Sequence, residues 1–376
     1  MAKRVILAVA GAGKTYHICH KIDPTKRNLI LAFTHENIYN IQKELCAAHG
    51  CVPDLTTVTT FDSFVYHQLI LPYESSIAEH FECPKFVSRG ICTIDPPPKT
   101  IKNANGKPVA NPLYKKKDRL AHYVTMRGQY YCATLSELVL QVNKNRETLV
   151  KRVAARLNLF YDCVLIDEFQ DFREYDYELI MALAKQLNDV VLVGDYHQHS
   201  VSATNNSGKP FKKKTNDVSY DDFVSELNSA GFEVDLTTLD KSRRCSVAVC
   251  QYVSDKLGIS ISSCEVNTGA IIWADENATT ILEDQQIIKL VYNDAALYSF
   301  RAMNWSYSKG DTMDTACVIL TDRFEQLDTA SFSTKGIPVS TLNKLYVAMT
   351  RSRGNLYLIK ASTFKLFKDK YTVIRQ

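Results

Sequence analysis

Residues 7–18 read LAVAGAGKTYHI, and the reading of this stretch decides the fold. Arg4-Val5-Ile6-Leu7-Ala8-Val9 is a short apolar run rich in β-branched residues, which predicts a buried strand. Gly11 and Gly13 follow, and glycine permits backbone angles and close approaches closed to other residues. Backbone N–H groups of such a turn, with the start of the next helix, form a cradle for an anion. Lys14 can reach the outer phosphates of a nucleotide, and the Thr15 hydroxyl can ligate Mg²⁺. Ala8 stands where the common G-x-x-x-x-G-K-[ST] pattern has its first glycine. An ordinary turn with a chance lysine is the competing reading. Strand, glycines, Lys-Thr and following helix together favour the phosphate site, with Ala10, Gly11, Ala12, Gly13, Lys14, Thr15 and Tyr16 as nucleotide contacts.

A phosphate site of this kind needs carboxylates beside it. The stretch CVLIDEFQDF, residues 163–172, predicts a strand over 163–166 that ends in Asp167-Glu168. Asp167 would hold the metal directly or through water, and Glu168 would orient and deprotonate an attacking water. A third strand, DVVLVGDYHQ (189–198), ends in Gly194-Asp195 and carries Gln198, placed to sense the γ-phosphate. Strands near 4–9, 29–33, 56–60, 163–166 and 190–194 with helices between them predict a doubly wound α/β domain.

The chain has 376 residues, enough for two to three domains, and a formal charge of +4, which permits nucleic-acid binding without requiring it. Its eleven cysteines are scattered, with no C-x-x-C pair, so free and mostly buried thiols are expected rather than a disulfide framework. Cys19 with His17 or His20 lacks a second ligand pair at zinc spacing. No stretch reads as a secretory leader or a membrane span, and the expected location is cytoplasmic.

Eight segments then occur in a fixed order: AVAGAGKT, LAFTHENIYNIQKEL, VTTFDSF, VLIDEFQD, LVGDYHQ, LDKSRRCS, SKGDTMD and LYVAMTRSR. This order resembles that of superfamily 1 helicases of the UvrD/Rep type, over about residues 5–360. The resemblance implies two RecA-like parallel-sheet domains with an ATP cleft between them, and ATP with Mg²⁺ as cofactors. It implies catalytic roles for Lys14, Glu168, Gln198, Arg244 and Arg351, with the two arginines reaching across the cleft. Thr15 and Asp167 would hold the metal. Arg243 takes the place of an aromatic that stacks on the base, and Gly310 lines the nucleotide. A single strand would run over Phe33, Thr34, His35, Thr60, Phe61, Phe64, Ser308 and Lys309. Phe61 and Phe64, three apart, also fit the start of a helix that faces the core.

The chain departs from that pattern in several places. No glutamine motif precedes the phosphate turn, which leaves adenine selectivity open. No intercalating aromatic follows Gln198; a polar loop with Lys209, Lys212, Lys213 and Lys214 stands there, able to grip phosphates or simply to be solvated. Thr312 replaces the glutamate of the fifth motif. The expected division is a first RecA-like domain from 1–71 and 151–215, a small basic inserted subdomain from 72–150, and a second RecA-like domain from 216–376 without an accessory insertion. The expected function is an ATP-dependent single-stranded DNA translocase or helicase moving 3′ to 5′. The alternatives are a nucleic-acid-responsive NTPase switch that licenses a partner, such as a nuclease or a replication or repair factor, and a motor on RNA.

Overall fold

The computed structural model describes residues 3–144, 147–199, 208–214 and 216–373. Two parallel sheets organise it. The first contains β1 (Lys3–Leu7), β2 (Asn28–Ala32), β3 (Thr56–Thr60), β4 (Cys163–Ile166), β5 (Val190–Gly194) and β6 (Glu233–Asp235), in the order β6-β1-β5-β4-β2-β3 with every pair parallel. Side chains alternate across a strand, so each sheet buries two faces. Val5, Leu7, Leu29 and Leu31 enter one core, while Ile6, Ala8, Ile30 and Ala32 enter the other.

The second sheet contains β7 (Ile271–Trp273), β8 (Ile288–Val291), β9 (Ala302–Asn304), β10 (Ala316–Ile319) and β11 (Leu356–Ile359), in the order β7-β11-β10-β8-β9, again all parallel. Val318 and Leu358 face one core, and Cys317 and Ile359 face the other. These are two RecA-like domains.

Six helices matter for the site: α1 (Lys14–Lys21), α2 (His35–His49), α3 (Glu174–Ala184), α4 (Tyr220–Ser229), α5 (Val247–Leu257) and α6 (Val339–Met349). Thr34 caps α2 by accepting the Asn37 N–H at 3.1 Å, and Gly50, at φ +83°, ends it in the left-handed conformation.

The expected division is corrected at two places. The first sheet does not end at 215: β6 pairs in parallel with β1, so α4 and β6 extend the first domain past the expected boundary at 216. Short strands paired only through backbone carry little side-chain signal, and Glu233-Val234-Asp235 has one apolar residue. Nor does 72–150 form a core of its own. Ile77, Phe81, Leu120, Tyr123, Tyr130 and Leu138 share one hydrophobic cluster with Leu29 and Val164 of the sheet. All eleven cysteines are free, but only Cys19, Cys245, Cys250 and Cys317 are buried. Among the described residues no helix is long and apolar enough to cross a membrane.

Candidate nucleotide site between the two sheets

β1 runs straight into the phosphate turn. The Ala8 N–H donates to the Gly194 carbonyl at 2.8 Å, which ties the turn to the end of β5. Gly11 (φ +73°) and Gly13 (φ +89°) take left-handed angles, and Gly13 starts α1. The glycine at 11 is also required by space. A Cβ there would lie 2.6 Å from the Arg244 Cβ and 2.8 Å from the Ser242 Oγ of the second domain. The first turn of α1 holds no acidic residue, so its free N–H groups and positive dipole end stay open to an anion.

Lys14 and Thr15 open α1 and meet the carboxylates that follow β4. Thr15 donates its hydroxyl to Asp167 Oδ2 at 2.8 Å, and Lys14 Nζ lies 3.4 Å from Glu168 Oε1. Thr15 and Asp167 thus offer two adjacent hard oxygens, the donor type a divalent cation such as Mg²⁺ prefers. Burial pushes the Asp167 carboxyl up, and the charge of Glu168 adds to that. Burial would raise Glu168 as well, but Lys14, Lys309 and a hydrogen bond from Gln170 outweigh it and hold Glu168 ionised. Glu168 sits at φ +53°, an angle costly for a residue with a side chain. Its own N–H is satisfied by Asp167 Oδ1 at 2.9 Å.

The second domain supplies the opposite wall. Arg243, Arg244, Gly310, Thr312, Arg351 and Arg353 face Lys14, Thr15, Asp167, Glu168 and Gln198 across a cavity of about 310 Å³. Arg351 is 1% exposed. Its guanidinium donates to the carbonyls of Val347 at 2.8 Å and Ser308 at 3.3 Å, and to the Thr350 hydroxyl at 3.3 Å. Among the described residues no carboxylate pairs with it. Burial and the neighbouring Arg244 push its pKa down to about 9. Arg244 donates to the Thr350 carbonyl at 3.2 Å. Arg244 and Arg351, neither paired with a carboxylate among the described residues, therefore face the cradle. At the rim, Arg243 lies 5.7 Å above the Tyr16 ring, which stacks on His20 at 3.8 Å.

The expected nucleotide contacts Gly11, Gly13, Lys14, Thr15, Tyr16, Arg243 and Gly310 all line this cavity; Ala10 and Ala12 are buried behind it. The expected strand contacts divide. Phe33, Thr34 and His35 are exposed at the end of β2, with Phe33 resting edge-on against Phe172 at 5.7 Å. Thr60 caps the short helix that follows β3. Phe61 and Phe64 are corrected: each is 2% exposed in the main core, so neither ring can receive a base. Ser308 is corrected too, since it is fully buried and donates its hydroxyl to the Trp305 carbonyl at 2.7 Å. Lys309 turns into the cleft, 2.5 and 2.6 Å from the two Asp171 oxygens and 3.5 Å from Glu168 Oε2. Of the basic loop after Gln198, residues 200–207 and 215 lie outside the described residues. Lys209, Lys212 and Lys213 pair with Glu178, Asp217 and Glu226.

Three residues that sequence reasoning left without a role join the site. Gln170 donates to Glu168 Oε2 and accepts the Asp195 N–H at 2.8 Å, so one amide links the carboxylate turn to the end of β5. Gly194 leaves room for it, because a Cβ there would meet Gln170 Oε1 at 2.5 Å. Tyr346, on α6 of the second domain, accepts the Ala10 N–H at 2.8 Å and donates to Asp195 Oδ2 at 3.2 Å. Burial pushes Asp195 up to about 6. All three lie inside motifs already quoted above, but Tyr346 looks like a core aromatic until α6 is set against β5.

The chain belongs to the AAA_19 family, described as an AAA domain, whose model matches residues 2–204. This family is found in superfamily 1 helicases of the UvrD/Rep type, the group that the ordered motifs resemble. No curated protein matches. Among solved structures, the PRRSV helicase aligns with TM-score 0.43 and 11% identity over 99% of this chain and 55% of its own. The Arterivirus nonstructural protein 10 (helicase) in complex with DNA aligns with TM-score 0.45 and 12% identity over 97% of this chain and 63% of its own. A second structure, a crystal structure of Arterivirus nonstructural protein 10 (helicase), gives TM-score 0.45 and 11% identity over 96% of this chain and 61% of its own. The chain thus spans less than two thirds of the length of each.

Proposed function

We propose that the chain is an ATP-driven translocase or helicase on single-stranded DNA, moving 3′ to 5′. Arg351 carries this reading. A buried guanidinium with no carboxylate partner is costly, and its cost is offset when a phosphate chain enters the cavity. Lys14 and the α1 N-terminus bind the phosphates; Thr15 and Asp167 would hold Mg²⁺, which would supply positive charge to the phosphate oxygens. Glu168 takes the proton of the attacking water. Arg244 and Arg351 stabilise the charge that develops as the bond breaks, and do so only with the domains together. Hydrolysis is thereby tied to relative domain position, the requirement for stepping. The base packs at the rim against Arg243, beside Tyr16.

One observation favours a second reading, a nucleotide-dependent switch that licenses a partner such as a nuclease. With Phe61 and Phe64 in the core, Phe33 is the one exposed aromatic left among the expected strand contacts.

NTP hydrolysis with and without single-stranded DNA, at low salt, tests the proposal, because phosphate-driven binding weakens steeply as salt rises. Strong stimulation by DNA is expected. Stimulation by RNA alone moves the track to RNA. Hydrolysis indifferent to both removes the motor and leaves the switch.

A further inference from the structure

The first domain carries a basic projection that the nucleotide site does not use. Residues 93–119 contain six lysines and one arginine against two aspartates, more net positive charge than the whole chain. Strands Thr100–Lys102 and Pro108–Ala110 pair antiparallel within it, and every residue of both is exposed.

The projection has a fixed shape. The Asn103 side chain accepts the N–H groups of Asn105 and Lys107 at 3.0 Å each, and Gly106 turns the chain at φ +72°. At its base, Asn111 donates from its backbone to the Lys99 carbonyl at 3.0 Å and from its side chain to the Pro98 carbonyl at 2.8 Å. Lys117 anchors the projection to the domain, donating to the Tyr175 hydroxyl at 2.8 Å and pairing with the buried Glu137. Tyr175 lies three residues from Phe172, the ring behind the exposed Phe33. The root of the projection is thus tied to the segment that follows Phe172, the ring against which Phe33 rests.

Lys99, Lys102, Lys107, Lys115 and Lys116 are all exposed, and among the described residues none has a carboxylate within ion-pair distance. Five exposed lysines gathered within residues 99–116, three on the hairpin and two just after it, make a local positive field.

We propose that this hairpin grips the phosphate backbone of the nucleic-acid segment that flanks the strand lying over Phe33. The inference rests on the strand-binding reading above and adds to it a second contact area with its own salt dependence. Lysines suit this task, being point charges that meet phosphates without reading sequence. Ile101 and Val109, paired across the hairpin and partly exposed, add an apolar surface that a sugar edge can cover.

The test uses the full chain and two charge-reversal pairs, Lys102→Glu with Lys107→Glu, and Lys115→Glu with Lys116→Glu. These side chains are exposed and unpaired, so the melting temperature should stay at the parent value in both. Two fluorescent DNA probes are titrated over a salt series: a single strand on the order of 8 nucleotides that fills only the path over Phe33, and the same strand joined to a duplex arm. Each pair should weaken the longer probe at least about tenfold and flatten its salt slope by about two. The short probe and strand-free hydrolysis should not change. Parent-like binding of the longer probe by both pairs overturns the inference, and assigns the patch to an acidic protein surface instead. Equal weakening of both probes overturns it as well. If the parent protein binds neither probe, the strand reading itself fails and takes the inference with it.

Discussion

Lys14 Nζ and Glu168 Oε1 lie 3.4 Å apart, so the lysine proposed to bind phosphate and the proposed general base neutralise each other. In the proposed reaction a γ-phosphate would compete for Lys14 and release Glu168 toward water. Glu168→Gln should lower hydrolysis by about 10²–10⁴-fold while keeping nucleotide affinity, because the cradle is intact. Lys14→Ala should lose both. Phosphate release beside a fluorescent-nucleotide titration separates the two; normal turnover in Glu168→Gln removes Glu168 from catalysis.

Arg351→Ala should bind nucleotide within a few-fold of the parent and turn it over about 10³-fold more slowly, the scale on which an arginine finger acts. Arg351→Lys keeps the charge but not the planar fork, and should recover only part of the loss. Single-turnover kinetics at saturating nucleotide provide the comparison. Unchanged turnover in the alanine variant would assign Arg351 to packing alone.

Tyr346→Phe deletes one hydroxyl and with it two contacts between domains, to Ala10 N–H and Asp195. Each is a neutral or singly charged hydrogen bond, so a stability loss of about 1–3 kcal/mol is expected. Turnover should fall more than nucleotide affinity, since the phosphate turn stays whole while its tie to α6 is cut. Thermal melting and the split between kcat and KM report on the two effects. A change in neither would reduce Tyr346 to filler.

Asp176, in the first turn of α3, accepts the Ser136 hydroxyl at 2.6 Å. Burial raises its pKa from 3.8 to about 7. The folded state therefore holds this proton between about pH 4 and 7 while the unfolded state releases it. The stability this supplies is full below pH 4 and is lost as pH rises through 7. Asp176→Asn has no proton to lose. It should melt above the parent at pH 8, with the gap narrowing at pH 5. A gap that does not vary with pH would exclude the titration.

Phe33→Ala and Phe61→Ala should behave oppositely. Phe33 is 48% exposed, so its removal should weaken single-strand binding and barely move the melting temperature. Phe61 is 2% exposed, and its removal should destabilise by about 3–5 kcal/mol. Melting curves and strand titrations on both variants decide which phenylalanine faces the strand.

Much of this was legible in the sequence because it is local. The turn at Gly11–Thr15 follows from backbone freedom and one helix start, and Asp167-Glu168 from the end of a buried strand. The pairing of Arg351 with the cavity was readable only through the order of the motifs. What could not be read depends on distant segments meeting. β6 offers a single valine and joins the first sheet because β1 has a free edge. Phe61 and Phe64 have the spacing of either a core helix or a stacking pair, and only the burial around Leu29 and Val164 decides. Lys309 was assigned to a strand from its motif, yet its side chain turns toward Asp171, a residue 138 positions away.

Gly11 faces the Arg244 Cβ across a gap that a single methyl group would overfill. The two domains therefore meet at a clearance set by one missing carbon. A larger residue there would act as a wedge, holding Arg244 back from the phosphates of the proposed nucleotide. In the proposed motor, the closest approach of the two domains is thus written at a position that carries no side chain.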